Sequence, residues 1–161
     1  MKKTTLKTPS YPAEPLNTMT LTLPARSINE GFARSTVAAF AAQLDPTIDE
    51  IDDIKTAVSE AVTNCVVHAY SQNPHPITIH AELYSDRLLV RVVDTGTGIL
   101  DVNHVMQPFV TTKANDERSG MGFTVMQSFM DSLDVESKPG HGTTVVMQKF
   151  FGGRGKNAVN H

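Results

Sequence analysis

Residues Thr47 to about Ala69 spell a helix with two stripes of different chemistry, and that pairing constrains the fold more than any other feature of the chain. Thr47-Ile48-Asp49-Glu50 has the form of a capping box, in which a hydroxyl and a glutamate satisfy the free N–H groups of a first turn. Ile51, Ile54, Val58, Val62, Cys65 and Ala69 follow at helical spacing and make an apolar stripe. Glu60, Asn64 and His68 fall at i, i+4 and i+8, drifting by only about 40° per step, so they share a second, polar stripe. Such a helix buries one stripe in a core and turns the other toward solvent or a site. Asn and His are mediocre helix formers, so propensity alone does not account for them there.

The rest of the chain supplies what this helix packs on. Thr18 to Leu23 alternates Thr with Met19, Leu21 and Leu23, the pattern of a half-buried strand. Ser27-Ile28-Asn29-Glu30 is a second capping box and opens a helix to about Leu44, which Asp45-Pro46 stops. Ile77 to Leu83 alternates again, Leu88 to Val93 is nearly all apolar, and Tyr84 to Arg87 joins them as a hairpin. A third helix begins near Gly120 and carries Phe123, Val125, Met126, Phe129, Met130 and Leu133. Strands at about 133–137 and 143–150 flank the turn Lys138-Pro139-Gly140-His141-Gly142. The expected architecture is a two-layer α/β (α+β) sandwich, with helices on one face of a mixed, mainly antiparallel sheet. It occupies residues 18–150, between flexible tails at 1–17 and 151–161. With 161 residues, 40% of them apolar, the chain has enough for one core.

The chemistry gathers around the polar stripe. Asp94-Thr95-Gly96-Thr97-Gly98 follows the strand ending in Val92-Val93. Gly96 and Gly98 let the backbone turn sharply beside a flat ligand, and Asp94 can accept a hydrogen bond from an exocyclic amine. Ser119-Gly120-Met121-Gly122-Phe123 stands where the third helix starts, and free N–H groups with a positive dipole end favour phosphate there. Lys113 and Arg118 precede it in a polar loop and could clamp outer phosphate oxygens. A carboxylate plus an amide oxygen suits Mg²⁺, which takes few protein oxygens. Helix and glycine turn together are plausible walls for an ATP–Mg²⁺ site. Gly140-His141-Gly142-Thr143-Thr144 is first of all a hairpin turn, with Thr143 or Thr144 available beside a base.

Several other classes fail. A dinucleotide fingerprint after Gly96 and Gly98 needs glycine at 101, where Asp101 stands. Gly155-Lys156 resembles the end of a P-loop, but Phe150 occupies the required glycine position and Asn157 follows. There is no H-E-x-x-H and no Cys/His cluster for zinc. A formal charge of −3 argues against nucleic-acid binding through bulk positive charge. No apolar run spans a membrane, and no apolar region follows Lys2, Lys3 and Lys7 as in a secretory signal. Cys65, the single cysteine, fits a reducing cytoplasm and reads as a small buried hydrophobe.

On these residues the chain resembles the GHKL group of ATP-binding domains, found in histidine kinases, gyrase, Hsp90 and MutL. Ser59-Glu60-Ala61-Val62-Thr63-Asn64 is similar to the N box, and Asp94-Thr95-Gly96-Thr97-Gly98 to the first glycine box. Ser119-Gly120-Met121-Gly122-Phe123 matches the second, and Gly140 to Thr144 the closing G-x-T element. Within the group, Gly31-Phe32-Ala33-Arg34, Ala41 to Thr47, Lys55 to Asn64, Phe109 to Lys113 and Glu117 to Phe123 resemble the anti-sigma F factor family of endospore-forming bacteria. The likeness spans about residues 18–149; Ala69 stands where that family usually has glycine after the N-box histidine.

The resemblance implies a serine protein kinase that binds and inhibits sigma factor F with ATP bound. It would phosphorylate a serine of an anti-anti-sigma factor. It implies Glu60 as general base, Asn64 as Mg²⁺ ligand and Asp94 as adenine reader. His68, Gly96, Gly98, Thr112, Lys113, Arg118, Ser119, Gly120, Gly122 and Thr143 would complete the ATP site. A lid would run from about Gln107 to Ser119. Arg34, expected to stand without an acidic neighbour one turn away, would meet sigma or the anti-anti-sigma partner. A homodimer is implied; neither direct nucleic-acid contact nor a membrane is.

Three alternatives stand beside it: an ATP-dependent sigma-binding module without kinase activity, a general stress-response anti-sigma kinase, and the catalytic domain of a histidine kinase. A pure binder needs only Asn64 and Asp94, so the carboxylate at Glu60 favours the enzyme. A histidine kinase is expected to carry a helical dimerisation segment with an acceptor histidine, and residues 1–17 show neither.

Overall fold

A computed structural model describes residues 13–69, 75–99, 102, 106 and 122–152, with the backbone alone described at 68 and 69. The Thr47 box forms as read: its side chain accepts from the Glu50 N–H at 3.2 Å and starts helix α2, Ile48–Asn64. The Ser27 box does not. Ser27 has helical backbone angles and makes no side-chain cap, so helix α1, Ile28–Ala41, begins without it. A hydroxyl caps only from an extended backbone, which Thr47 has with ψ 163° and Ser27 lacks with ψ −31°. The helix tightens through Ala42–Leu44 and ends at Asp45, whose φ of 52° turns the chain left-handed before Pro46.

Strands β1 (Asn17–Pro24), β2 (Pro76–Leu83), β3 (Arg87–Asp94), β4 (Ser132–Lys138) and β5 (Gly142–Phe150) form one sheet in the order β1-β2-β3-β5-β4. Every neighbouring pair is antiparallel, so the mixed sheet expected from the sequence is antiparallel throughout. Ile77, Ile79, Ala81 and Leu83 of β2 and Leu88, Val90 and Val92 of β3 point to one face, as the period of two requires. α1, α2 and helix α3 (Gly122–Phe129) meet that face through Ala33, Val37, Ile54, Val58, Val62 and Met126, all of them fully buried. This is the expected two-layer α+β sandwich. Leu133, read as the end of the third helix, instead lies on β4, one residue into the strand.

Lys149 ties the layers together. Its Nζ donates to Asp53 Oδ2 of α2 at 2.9 Å and to the Phe129 carbonyl at the end of α3 at 2.8 Å. A cation there satisfies an orphan carbonyl and complements the negative end of the helix dipole. The same end of the sheet is also pinned by Arg87, one register step from Lys149. Its guanidinium lies 4.3 Å from the Tyr84 ring centre and 5.6 Å from that of Phe150, so the β2–β3 hairpin is held against the end of β5. β3 runs from that anchored end to Asp94 at the opposite end of the sheet.

Candidate functional site

Two strand ends and one helix build the site. Asp94 is the last residue of β3 and stands opposite Thr143, the second residue of β5. Cross-strand partners share a face, so both side chains turn toward the helices, and both are buried. The carboxylate is held by short donors: Gly96 N–H bonds Oδ1 at 2.9 Å, Cys65 Sγ–H bonds Oδ2 at 3.5 Å, and the Thr143 backbone N–H reaches it too. Burial pushes the Asp94 carboxyl above its ordinary value of 3.8, while those three donors pull it back. The Cys65 thiol is driven far up, first by burial and then by the Asp94 charge. It is a donor here and no nucleophile.

The glycine turn and the β4–β5 hairpin are fitted to each other. At Gly98, φ is +75°, and an added Cβ would run into the Lys138 carbonyl oxygen and lie 2.8 Å from its carbon. At Gly142, φ is +90°, and an added Cβ would strike the Asp94 carbonyl oxygen and lie 2.7 Å from Thr95 Cα. Both positions admit only glycine, for conformation and for space. Gly140 N–H then donates to the Thr97 carbonyl at 2.7 Å and closes the contact. The G-x-T turn is therefore a hairpin that also forms the floor beneath Asp94.

The polar stripe of α2 lies over this floor. Gly122, at the start of the described part of α3, is buried against it. A Cβ there would sit 3.1 Å from Asn64 Oδ1, 3.2 Å from Asn64 Nδ2 and 3.3 Å from Glu60 Oε2. The second glycine box thus meets the N box directly, and its missing side chain makes room for both functional groups. Asn64 Nδ2 is buried with no hydrogen-bond partner. An orphaned buried amide costs about 1–3 kcal/mol, and rotating the amide would present its oxygen at the same point. That donor set fits a hard cation carrying phosphates and waters. Among the described residues no group of three or more His, Cys, Asp or Glu is placed to hold a metal ion.

α2 does not continue as a plain helix to Ala69. After Asn64 the chain widens into a π-helical turn over Cys65–Ala69. Such wide turns cluster at functional sites because they re-aim side chains. Here the turn starts at Cys65, the residue whose thiol reaches Asp94. The side chain of His68, and Thr112, Lys113, Arg118, Ser119 and Gly120, lie outside the described residues, as does the expected lid over 107–119.

Arg34 departs from expectation. Glu30 precedes it by one helical turn, and Arg34 Nη1 binds both Glu30 carboxylate oxygens, at 2.8 and 3.1 Å. It is a paired surface cation on α1, remote in the chain from Glu60 and Asp94. Two participants had no motif to flag them. Cys65 had only its place beside Asn64. Ser137 falls where the alternation of β4, after Leu133 and Val135, calls for an apolar residue, and that break in pattern was its one signal.

Comparison with known proteins agrees with this geometry. Residues 23–149 match the model of the histidine kinase-like ATPase domain. The chain is 59% identical over 136 residues to the anti-sigma F factor of Caldanaerobacter subterraneus subsp. tengcongensis, covering 84% of this chain and 95% of that protein. The anti-sigma F factor of Geobacillus thermodenitrificans is 52% identical, with 84% and 93% covered. Among solved structures, the RsbU and RsbW domains of Rv1364c from Mycobacterium tuberculosis superpose with a TM-score of 0.60 at 20% identity, over 84% of this chain and 32% of that one. The histidine kinase domain of the blue-light activated kinase EL346 from Erythrobacter litoralis gives 0.50 at 18%, over 86% and 66%. These two likenesses concern the fold.

Proposed function

Since this chain belongs to the histidine kinase-like ATPase domain family, and within it to the anti-sigma F factors, we propose that it is an ATP-dependent inhibitor of sigma factor F that also phosphorylates a serine of an anti-anti-sigma factor. The observation that carries the reading is Gly122 seated against Asn64 and Glu60, above a buried Asp94. A carboxylate, an orphaned amide and the buried polar pair Asp94 and Thr143 then stand at the elements that meet there. Asp94 would accept from the adenine amine. Asn64 would hold Mg²⁺, whose bound charge would offset that of the phosphates. Thr112, Lys113, Arg118, Ser119 and Gly120 would contact the phosphates, with His68 and the glycine boxes completing the site. Residues 107–119 would close over the nucleotide as a lid.

In the proposed reaction the seryl oxygen forms a bond to the γ-phosphorus as the bond to the bridging β–γ oxygen breaks, and ADP departs. Glu60 takes the seryl proton. Phosphoryl transfer asks mainly for positioning and charge stabilisation, and a general base contributes about 10²–10⁴-fold. Arg34 would serve sigma or the anti-anti-sigma protein rather than ATP. The acting species would be a cytoplasmic homodimer, with the ATP-binding domain at 18–150 between tails at 1–17 and 151–161. No described helix is long and apolar enough to cross a membrane.

The test uses purified protein, sigma F, the anti-anti-sigma protein and γ-labelled ATP. Sigma F should co-purify better with ATP than with ADP, and label should appear on the anti-anti-sigma serine. Glu60→Gln should keep sigma binding and Mg-ATP affinity but lose about 10²–10⁴-fold in labelling, in kcat more than KM. Labelling absent from the wild type, with sigma binding intact, would leave a binding module without kinase activity. Equal labelling by both proteins would remove Glu60 from the mechanism.

A further inference from the structure

Ser137 lies in no motif, yet its hydroxyl makes three hydrogen bonds close to Asp94. Ile99 N–H donates to Ser137 Oγ at 2.7 Å, the Gly142 carbonyl lies at 2.9 Å, and Thr143 Oγ1 at 2.8 Å. A serine hydroxyl has one proton and two lone pairs. An amide N–H can only donate, so Ile99 uses one lone pair. A carbonyl can only accept, so the single proton goes to Gly142. One lone pair then remains, and Thr143 must supply the proton for the third bond. No other assignment satisfies all three contacts.

We infer that Ser137 is a positioning residue that fixes the Thr143 hydroxyl as an acceptor toward the nucleotide, and so helps select an amino-purine over an oxo-purine. Thr143 sits opposite Asp94 on the same buried face. With its proton committed to Ser137, its hydroxyl offers lone pairs on that side. Asp94, with Gly96 N–H and Cys65 Sγ–H bound to its two oxygens, offers lone pairs too. Two adjacent acceptors welcome a ligand donor such as an exocyclic amine. They oppose a 6-oxo group, which would meet them lone pair to lone pair. Without Ser137, the Thr143 proton is released and can turn toward the ligand, so the floor would tolerate an oxo-purine better.

This rests on the nucleotide-site reading above, and the experiment separates the two. ATP and inosine triphosphate, which carries a 6-oxo group in place of the amine, are titrated by calorimetry into the wild type, Ser137→Ala and Ser137→Thr, each checked for a cooperative thermal melt. The wild type should prefer ATP. Ser137→Ala should lower the ATP/ITP affinity ratio by about fivefold to tenfold, through weaker ATP binding with ITP held or improved. Ser137→Thr, which keeps a hydroxyl, should restore the ratio. If Ser137→Ala fails to fold, Ser137→Cys carries the same comparison, since a thiol keeps the shape and weakens the bonds. Both affinities falling in parallel, or a ratio not restored by Thr, would overturn the inference and leave Ser137 a packing residue. A wild type that binds neither nucleotide would overturn the nucleotide reading itself.

Discussion

Gly122→Ala should damage the chemistry while sparing the fold. The new methyl group would lie 3.1 Å from Asn64 Oδ1, 3.2 Å from Asn64 Nδ2 and 3.3 Å from Glu60 Oε2, where ordinary contact begins at 3.4 Å. Each neighbour must retreat by a few tenths of an ångström, and all three atoms are side-chain ends, so the backbone of α2 need not move. Against that strain, Ala is preferred to Gly in a helix by up to about 1 kcal/mol, less in the first turn. The two effects nearly cancel. Unfolding free energy should change by no more than about 1 kcal/mol, a shift in Tm of roughly 2–4 °C for a chain of this size. The site fares differently. The amide proposed for Mg²⁺ and the proposed base are displaced together, and a misplacement of about 1 Å can cost 10²-fold. Shifts of a few tenths in both groups should cost about tenfold to 10²-fold in phosphoryl transfer. Thermal melts, Mg-ATP calorimetry and labelling of the anti-anti-sigma serine measure the three quantities. Wild-type labelling by a folded variant would refute the reasoning. So would a loss of several kcal/mol in stability, which would mean that Gly122 serves packing alone.

Other changes probe the floor and the surface. Because burial holds the Asp94 carboxyl above 3.8, the folded state binds that proton more tightly than the unfolded chain. Stability therefore falls as pH rises from 3.8 through the raised value. Asp94→Asn sets its amide NH2 against the Gly96 N–H or the Cys65 thiol, so its effect on Tm should be less unfavourable at pH 7 than at pH 4, read by melts at both, while Mg-ATP binding is lost. For the wild type, calorimetry should show ATP affinity dropping as pH falls through the raised value, since a protonated carboxyl presents fewer acceptor sites. Gly142→Ala should be far more harmful to the fold than Gly122→Ala, because its Cβ meets the backbone of Asp94 and Thr95 at a φ of +90°; a loss of about 3 kcal/mol or more is expected in denaturant titration. Arg34→Glu should set like charges one turn apart on α1, costing only a few tenths of a kcal/mol in stability. Pull-downs should show weaker binding of sigma or anti-anti-sigma, with ATP affinity unchanged.

Local patterns determined most of this protein. The period-two alternation of Ile77–Leu83 and the apolar run Leu88–Val93 specify strands, because only one pleat face can be buried. The spacing of Glu60 and Asn64 puts them on one stripe because a helix returns nearly to the same side every four residues. Gly98, Gly140 and Gly142 announce turns because few other residues tolerate positive φ. What sequence could not specify is what those pieces touch. Ser27 and Thr47 open the same four-residue pattern, and only the chain's path into each helix decides which hydroxyl caps. The meeting of Gly122 with Asn64 and Glu60 depends on how α3 packs against α2, and no residue within either segment encodes that distance. Cys65 becomes a hydrogen-bond donor only because the π turn and β3 bring it to Asp94, a residue distant in the chain. Ser137 likewise gains its role from three partners on two other segments, whose separation is set by the pairing of β5 with both β3 and β4. Hydrophobic period and backbone freedom act between near neighbours and can be read along the chain. Hydrogen-bond polarity and close approach act through space, and they exist only once the sheet has closed.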